Sequence, residues 1–180
     1  MYPFIRLAWQ FFKHRNDPKL TPTDVHQSRH YCLPQDIDLW WELNNGRTLT
    51  MYDMGRLPMA MRVGLVKTLR QNKWGLTMAG CSVRYRRRIR MFEAFTMKSR
   101  AVGWDDKFIY LEQSIWKKSG ECAGHILYRS AVTGRSGIIP PQDVMAALGL
   151  DLNTNPLPDW VKAWIDADKE RPWPPMAAGE

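Results

Sequence analysis

The second half of the sequence contains four consecutive strand-like runs, and this feature limits the possible folds more than any other. The runs occupy residues 76–90, 92–106, 107–121 and 122–137, and turn signals such as "GWDDK" and "KSGE" separate them. Consecutive strands joined by short turns pair in antiparallel fashion. The sequence therefore predicts an antiparallel sheet built from this part of the chain.

The region before these runs predicts one strand and a largely apolar helical region. Residues 25–33, "VHQSRHYCL", alternate as a strand does. Asn44 or Asn45 is a candidate N-cap for a helix that Gly55 is expected to end. Pro58 fits the first turn of a second, largely buried segment. A sheet with a long apolar helix lying against it is an α+β domain.

The chain is expected to form one main domain with an addition at each end. Residues 1–20 contain an apolar segment and a connector rich in Pro, Asn and Asp. The main domain is predicted over residues 21–150, and its last element is a short helix in "PPQDVMAALGL". Residues 151–180 form a C-terminal extension with a further amphipathic turn or two, expected to be peripheral.

The N-terminal segment "MYPFIRLAWQFFKHR" has two interpretations. Arg6 and Gln10 interrupt its apolar residues, and no small-residue cleavage site follows, so a secretory signal is not indicated. One interpretation is a helix that packs on the domain or on a partner subunit. The other is an interfacial helix on a membrane, with Lys13 and Arg15 at the headgroups.

Composition and motifs exclude several classes of function. The formal net charge of +8 favours anionic partners. The cysteines Cys32, Cys81 and Cys122 form no CxxC pair, so neither a disulfide framework nor a zinc site is predicted, and a cytoplasmic location is expected. His26 and His30 lie on a predicted strand and are expected to be structural or solvent-facing. No GxSxG, Walker or dinucleotide motif occurs, so we expect neither cofactor nor metal.

The segment "PQDIDLWWELNNGRTL" places acids beside two tryptophans, directly before a predicted helix start. Its side chains of interest are Asp36, Asp38, Trp40, Trp41 and Glu42. One carboxylate can suffice as base or nucleophile if the leaving group departs readily and the oxyanion is stabilised. The first amides of a helix can stabilise it, and apolar rings can raise the pKa of a nearby carboxylate.

The same residues also allow a purely structural interpretation. Asp36 and Asp38 can cap a turn, Asn44 can serve only as a helix cap, and the tryptophans can belong to the core.

The motif Asp36-Ile-Asp38-Leu-Trp-Trp-Glu42-Leu-Asn44-Asn45, followed by a helix and four strands, resembles that of hotdog-fold acyl-CoA thioesterases of the 4-hydroxybenzoyl-CoA thioesterase type. Many of these proteins have His where Glu42 stands here. "SVRYRRRIR", "AVGWDDKFIYLEQSIW" and "GIIPPQDVMAALG" are also similar to segments of such proteins. The resemblance covers about residues 25–150.

This resemblance implies a hotdog fold, in which the antiparallel sheet wraps around a long central helix, with the N-terminal helix and C-terminal extension added. It implies hydrolysis of an acyl-CoA by a homodimer or homotetramer whose protomers join their sheets and build each active site at the shared interface. Asp38 is then the base or nucleophile, Asp36 orients the loop, and Glu42 is a second acid or base or a solvated residue. The implied oxyanion hole lies at Asn44, Asn45 and Gly46.

A row of arginines is the second candidate site. At strand period one face carries Arg84, Arg86, Arg88 and Arg90. Such a row can bind the phosphates of coenzyme A. It can also be a solvent face, or bind RNA with Tyr85 stacking on a base, although no nucleic acid is expected as a partner. A further alternative is a hotdog protein that binds acyl-CoA or lipid without catalysis.

Overall fold

The elements follow the predicted order of a helix, a strand, a helical region and four strands. The structure, a computed structural model, describes residues 2–150 and 157–175. Its helices are α1 (Phe4–His14), α2 (Asn45–Val63), α3 (Leu65–Asn72), α4 (Pro141–Ala147) and α5 (Asp159–Lys169), with a 3-10 turn at Pro34–Asp36. Its strands are β1 (His26–Tyr31), β2 (Gly75–Tyr85), β3 (Ala94–Trp104), β4 (Ile109–Lys117), β5 (Cys122–Gly134) and β6 (Gly137–Ile139).

The strands form one antiparallel sheet in the order β1-β3-β4-β5-β2, and β6 pairs with β5. β2 and β3 are consecutive in sequence but do not pair, because β2 runs beside β5 from Gly75–Thr133 to Tyr85–Gly124. The predicted antiparallel sheet is therefore confirmed, and its order could not be read from the succession of strands. The connection at residues 86–93 leads from the edge strand β2 to β3, which lies next to the opposite edge strand β1.

Helix α2 lies against one face of this sheet and forms the centre of the core. Its side chains Met51, Tyr52 and Met54 are fully or almost fully buried, together with Phe95 and Ile126 from the sheet. Apolar burial of this kind contributes about 25 cal/mol per Å² and dominates folding. The predicted α+β class is confirmed.

The prediction that Gly55 ends the first helix was wrong. α2 continues through Gly55 and Pro58 and ends where Gly64 adopts a left-handed φ of 91°. Gly55 instead allows α2 to approach the sheet closely: a Cβ there would lie 2.9 Å from Ser99 Oγ, and nearer still to Met97 Sδ. Burial of the helix offsets the cost of a glycine and a proline in its interior, about 1 and 3 kcal/mol in exposed helices.

Helix α1 packs on α2, so the expectation that the N-terminal segment packs on the domain is confirmed. Among residues 2–150 and 157–175, no helix is both long and apolar enough to cross a bilayer.

Helix α5 covers part of the opposite face of the sheet. Its Val161 is fully buried in a second cluster with Val102, Tyr110 and Leu127. Arg129 Nη2 donates to Asp168 Oδ2 at 2.5 Å. The extension is thus a packed helix of 11 residues rather than a peripheral turn or two. Residues 151–156 and 176–180 of the predicted extension lie outside the described residues.

Candidate functional site

A cleft of about 300 Å³ opens where α2 begins. Its polar lining comes from the segment before α2, from the first turn and a half of α2, and from the loop after β2: Glu42, Asn45, Thr48, Arg86, Arg87 and Arg88. Apolar side chains from β4 and β5 complete it, among them Ile115 and Ala123. The sequence motif and the arginine-rich segment, about 40 residues apart in the chain, thus meet at one cavity.

The amino end of α2 is built to face a negative charge. Asn44 is its N-cap, and its side-chain oxygen accepts a hydrogen bond from the Arg47 N–H at 3.1 Å. The N–H groups of Asn45 and Gly46 belong to the first turn, where amides have no partner inside the helix. With the helix dipole, these amides can stabilise an oxyanion.

Asp36 lies beneath the site as a buried anchor. Its Oδ2 accepts a hydrogen bond from Arg6 Nη1 of α1 at 2.6 Å and another from the Leu33 N–H at 3.0 Å. Its backbone carbonyl accepts from the Asn44 N–H at 2.9 Å. Asp36 thereby joins α1, the 3-10 turn and the start of α2, in keeping with an orienting role.

Asp38 lies in a tight turn and is half-buried. Its Oδ1 accepts a hydrogen bond from the Trp40 N–H at 2.9 Å, and its own N–H donates to the Glu42 carbonyl at 2.9 Å. Asp38 is not among the described residues that line the cleft.

The two tryptophans do not enclose the carboxylate of Asp38, contrary to our expectation. Trp40 is 72% exposed and Trp41 is 68% exposed. Trp41 adopts a left-handed φ of 61° in this turn, and both rings lie in solvent. The turn reaches solvent because its neighbours Ile37 and Leu43 pair with each other and direct their own side chains to the core.

Glu42 is the carboxylate that lines the cleft. Its Oε2 is buried and lies 2.8 Å from Arg88 Nε, but the guanidinium N–H does not point at it with hydrogen-bond geometry. The side chain of Arg88 is 70% exposed, so the pair contributes only about 0–1 kcal/mol. Arg88 can therefore leave Glu42 at small cost when a ligand enters.

The predicted strand through Arg90 was wrong, because β2 ends at Tyr85. The N–H groups of Arg86 and Arg87 both donate to the Ala123 carbonyl, at 2.9 and 3.0 Å, and this contact turns the chain over the cleft. Ile89 is buried and anchors the loop to the core. The four predicted arginines thus share no strand face: Arg84 lies on β2, and Arg86, Arg88 and Arg90 lie in the loop.

Arg87, Thr48 and Gly124 line the cleft, and sequence reasoning missed all three. Strand periodicity had assigned Arg87 to the opposite face, and the side chain in fact pairs with Glu121 at 2.9 Å. A glycine inside a strand can mark a close approach, but a Cβ at Gly124 would make ordinary contacts, 3.4 Å from the Arg84 carbonyl oxygen and 3.5 Å from the hydroxyl oxygen of Tyr52.

In the part of the chain that the structure describes, no group of three or more His, Cys, Asp or Glu side chains could hold a metal ion. The three cysteines are free thiols, and burial raises the pKa of Cys32 to about 11.

Comparison with known proteins identifies the fold and the family. The chain is 31% identical over 164 residues to Protein THEM6 of Xenopus laevis, covering 90% of this chain and 78% of the relative. It is 29% identical over 167 residues to Protein THEM6 of Drosophila melanogaster, covering 91% and 84%.

Solved structures share the fold at low identity. The probable thioesterase YbaW of Escherichia coli superposes with a TM-score of 0.64 at 15% identity, covering 68% of this chain and 96% of that one. The DHNA-CoA thioesterase of Staphylococcus aureus gives a TM-score of 0.61 at 13% identity, covering 81% and 91%. The hotdog fold is therefore confirmed. The sequence profile of the thioesterase-like superfamily matches residues 32–165, and this chain belongs to that superfamily.

Proposed function

We propose that this chain hydrolyses the thioester of an acyl-CoA at the cleft where α2 begins. The observation that carries the proposal is that a carboxylate, Glu42, and the amino end of a helix, at Asn45, line the same cavity. Membership of the thioesterase-like superfamily supports thioester hydrolysis as the kind of reaction. Structures of the same fold include enzymes named for DHNA-CoA and gentisyl-coenzyme A, which supports a CoA thioester as the substrate.

The reaction needs few groups. The thioester carbonyl would lie against the first amides of α2, at Asn45 and Gly46, which stabilise the oxyanion of the tetrahedral intermediate. The amide of Asn44, predicted from the sequence as a third donor, already donates to the Asp36 carbonyl. A carboxylate either removes a proton from the attacking water or attacks the carbonyl carbon itself and forms an anhydride that water then opens. The C–S bond breaks, and CoA leaves as a thiolate without a strong general acid, since its thiol pKa is near ~8.5.

Two carboxylates compete for this role. Asp38 is the base or nucleophile by its position in the family motif, with Asp36 and Glu42 in support. Glu42 competes for the role because it lines the cleft and Asp38 does not. The two residues are neighbours across one turn, joined by the hydrogen bond from the Asp38 N–H to the Glu42 carbonyl.

The arginine-rich loop supplies the contacts for the phosphates of CoA. Arg86 and Arg88 line the cleft, and Arg84 and Arg90 lie on either side of them in the chain. All four are exposed, as a binding surface for a solvated pyrophosphate must be. Bidentate guanidinium contacts suit phosphate oxygens. Trp40 and Trp41 remain candidates for contact with the substrate, from the exposed turn beside the site.

The unit that acts is proposed to be a homodimer or homotetramer in the cytoplasm. β2 is an edge strand of 11 residues, and it has neither lysine nor proline to discourage pairing. Joining two such edges would continue the sheet across the two protomers. Tyr85, the last residue of β2, lines the cleft, so a partner paired along β2 would lie close to the site.

Thioester absorbance across short, long and aromatic acyl-CoAs tests the proposal without a thiol reagent, which the free cysteines would consume. Wild type should turn over at least one class. Asp38→Asn and Glu42→Gln are compared with Asp106→Asn, an exposed carboxylate in another loop. The variant that lacks the base or nucleophile should lose about 10²–10⁴-fold in kcat/KM, and the control should match wild type.

The outcomes separate the alternatives. Binding of acyl-CoA without turnover of any substrate would establish instead a non-catalytic acyl-CoA or lipid-binding protein, which the glutamate in place of the family's histidine favours. Binding of unrelated oligonucleotides, with log affinity falling linearly in log salt, would point to the RNA-binding alternative.

A further inference from the structure

Helix α1 is amphipathic, and it leaves a large part of its apolar surface in solvent. The face towards the domain contains the buried polar residues Gln10 and His14 and the half-buried Leu7 and Phe11. Other apolar side chains face solvent: Ile5 is 87% exposed, Trp9 59% and Phe12 53%. At 100° per residue these three side chains fall on one continuous face.

Polar contacts hold the helix in this orientation. Arg6 donates to Asp36 at 2.6 Å and to the Tyr31 carbonyl at 2.7 Å. His14 Nδ1 lies 2.7 Å from Asp17 Oδ2, and its ring packs edge-on to that of His26 with the centroids 4.7 Å apart. Turning the helix to bury Trp9 would break these contacts at both of its ends.

The charges beside this face identify what can cover it. α1 contains no acidic residue, and Lys13 and Arg15 stand exposed at its carboxyl end. The guanidinium of Arg15 lies 3.7 Å from the centroid of the Phe12 ring, so a cation caps the apolar surface. An apolar helical face with aromatic side chains and flanking cations is the pattern of a helix that lies in the interface of an anionic bilayer.

A second copy of the chain fits the face less well. Each chain carries a formal net charge of +8, and two α1 helices placed face to face would bring Lys13 and Arg15 of both copies together without an acidic residue on either helix. An anionic lipid surface supplies the missing negative charge.

The turn that follows Asp36 also exposes apolar side chains. Leu39, Trp40 and Trp41 are all exposed, and they follow three to five residues after Asp36, the carboxylate that Arg6 binds. Exposed apolar groups larger than isolated side chains mark interaction sites.

We propose that α1 docks this protein on anionic membranes, with the face formed by Phe4, Ile5, Trp9 and Phe12 buried in the headgroup region and Lys13 and Arg15 at the lipid phosphates. This inference is independent of the catalytic proposal, because none of these residues lines the cleft. Because the contacts of α1 with the rest of the domain are present without a membrane, the domain would bind lipid in one fixed orientation.

Co-sedimentation of the full chain with vesicles tests the inference, using phosphatidylcholine alone and phosphatidylcholine with 30 mol% phosphatidylglycerol as the probes. Each cation near an anionic surface contributes about fivefold to partitioning, so Lys13 and Arg15 together should give about 25-fold tighter binding to the anionic vesicles. The double variant Trp9→Ser/Phe12→Ser should bind these vesicles at least about tenfold more weakly.

Trp160→Ser is the matched control, since it removes an exposed tryptophan from another amphipathic helix, α5, and it should bind as wild type. Phe4→Ser/Ile5→Ser is a second variant of the same face, and it too should lose binding. Melting temperatures of all variants show whether each is folded.

Three results would overturn the inference: no binding of wild type to either vesicle, equal binding to both vesicles, or full binding by both folded double variants. If light scattering shows a wild-type assembly that both double variants dissociate, while vesicles are not bound, the face is an interface between copies of the chain. Binding that fails in the double variants while thioesterase activity persists separates this site from the catalytic one.

Discussion

Two buried histidines of β1 should make the protein lose stability in weak acid. Burial, assisted by the nearby cations and by His14, lowers the pKa of His26 to about 4. Burial also lowers the pKa of His30 to about 3, with Arg6 and Lys13 acting in the same direction. The ordinary value for both is 6.5. Each ring is therefore held neutral in the folded chain.

The sign of the effect follows from proton binding. Because the folded pKa lies below the unfolded value, the unfolded chain binds more protons between pH 6.5 and the folded pKa, and the free energy of unfolding falls as the pH falls through that range. From pH 7 to pH 5 the loss is about 2 kcal/mol for each histidine, or about 4 kcal/mol for the pair. Asp17 and Glu112, whose pKa values are lowered, titrate mainly in more acid solution.

Urea unfolding at pH 7, 6 and 5 measures this slope. His30→Gln keeps a polar group near Ser28, the present hydrogen-bond partner of the ring at 2.7 Å, and removes the titration. Its stability should fall by only about half as much as that of wild type between pH 7 and pH 5, whatever its stability at pH 7. Equal slopes in wild type and His30→Gln would refute the reasoning.

Two further predictions concern the packing around α2. Gly55→Ala should destabilise the protein by about 1–3 kcal/mol, although alanine favours helices, because the new Cβ meets Met97 and Ser99. Thermal melts would measure the change in stability, and a stabilised variant would contradict the close approach of α2 to the sheet. Arg6→Ala should cost about 3 kcal/mol in urea unfolding, because it leaves the carboxylate of Asp36 buried without its main partner; an unchanged midpoint would show that this contact does not hold α1.

The local sequence was sufficient for the elements whose signals are local. Alternation predicted β1, and the turn signals predicted four strands. The cap of α2 was narrowed to Asn44 or Asn45, and it is Asn44, whose side chain acts on an amide only three residues away. The family motif indicated the hotdog fold, which the structural neighbours confirm.

Other features depended on contacts that local patterns do not contain. Gly55 and Pro58 are expected to break an isolated helix, and only the sheet packed against α2 makes them tolerable. The strand predicted through Arg90 ends at Tyr85 because the carbonyl of Ala123 accepts hydrogen bonds from the next two amides. Ala123 lies on β5, which pairs with β2 but is far from it in the sequence.

The composition of the cleft and the orientation of α1 also depend on tertiary contacts. Glu42 lines the cleft in a segment that forms a β-bridge with Arg90, a residue 48 positions later in the chain. The apolar face of Ile5, Trp9 and Phe12 is turned outward because residues outside α1 bind its polar side chains. Asp36 binds Arg6, and Asp17 binds His14. Amphipathic periodicity identifies two faces of a helix, and only tertiary contacts decide which of them meets the protein.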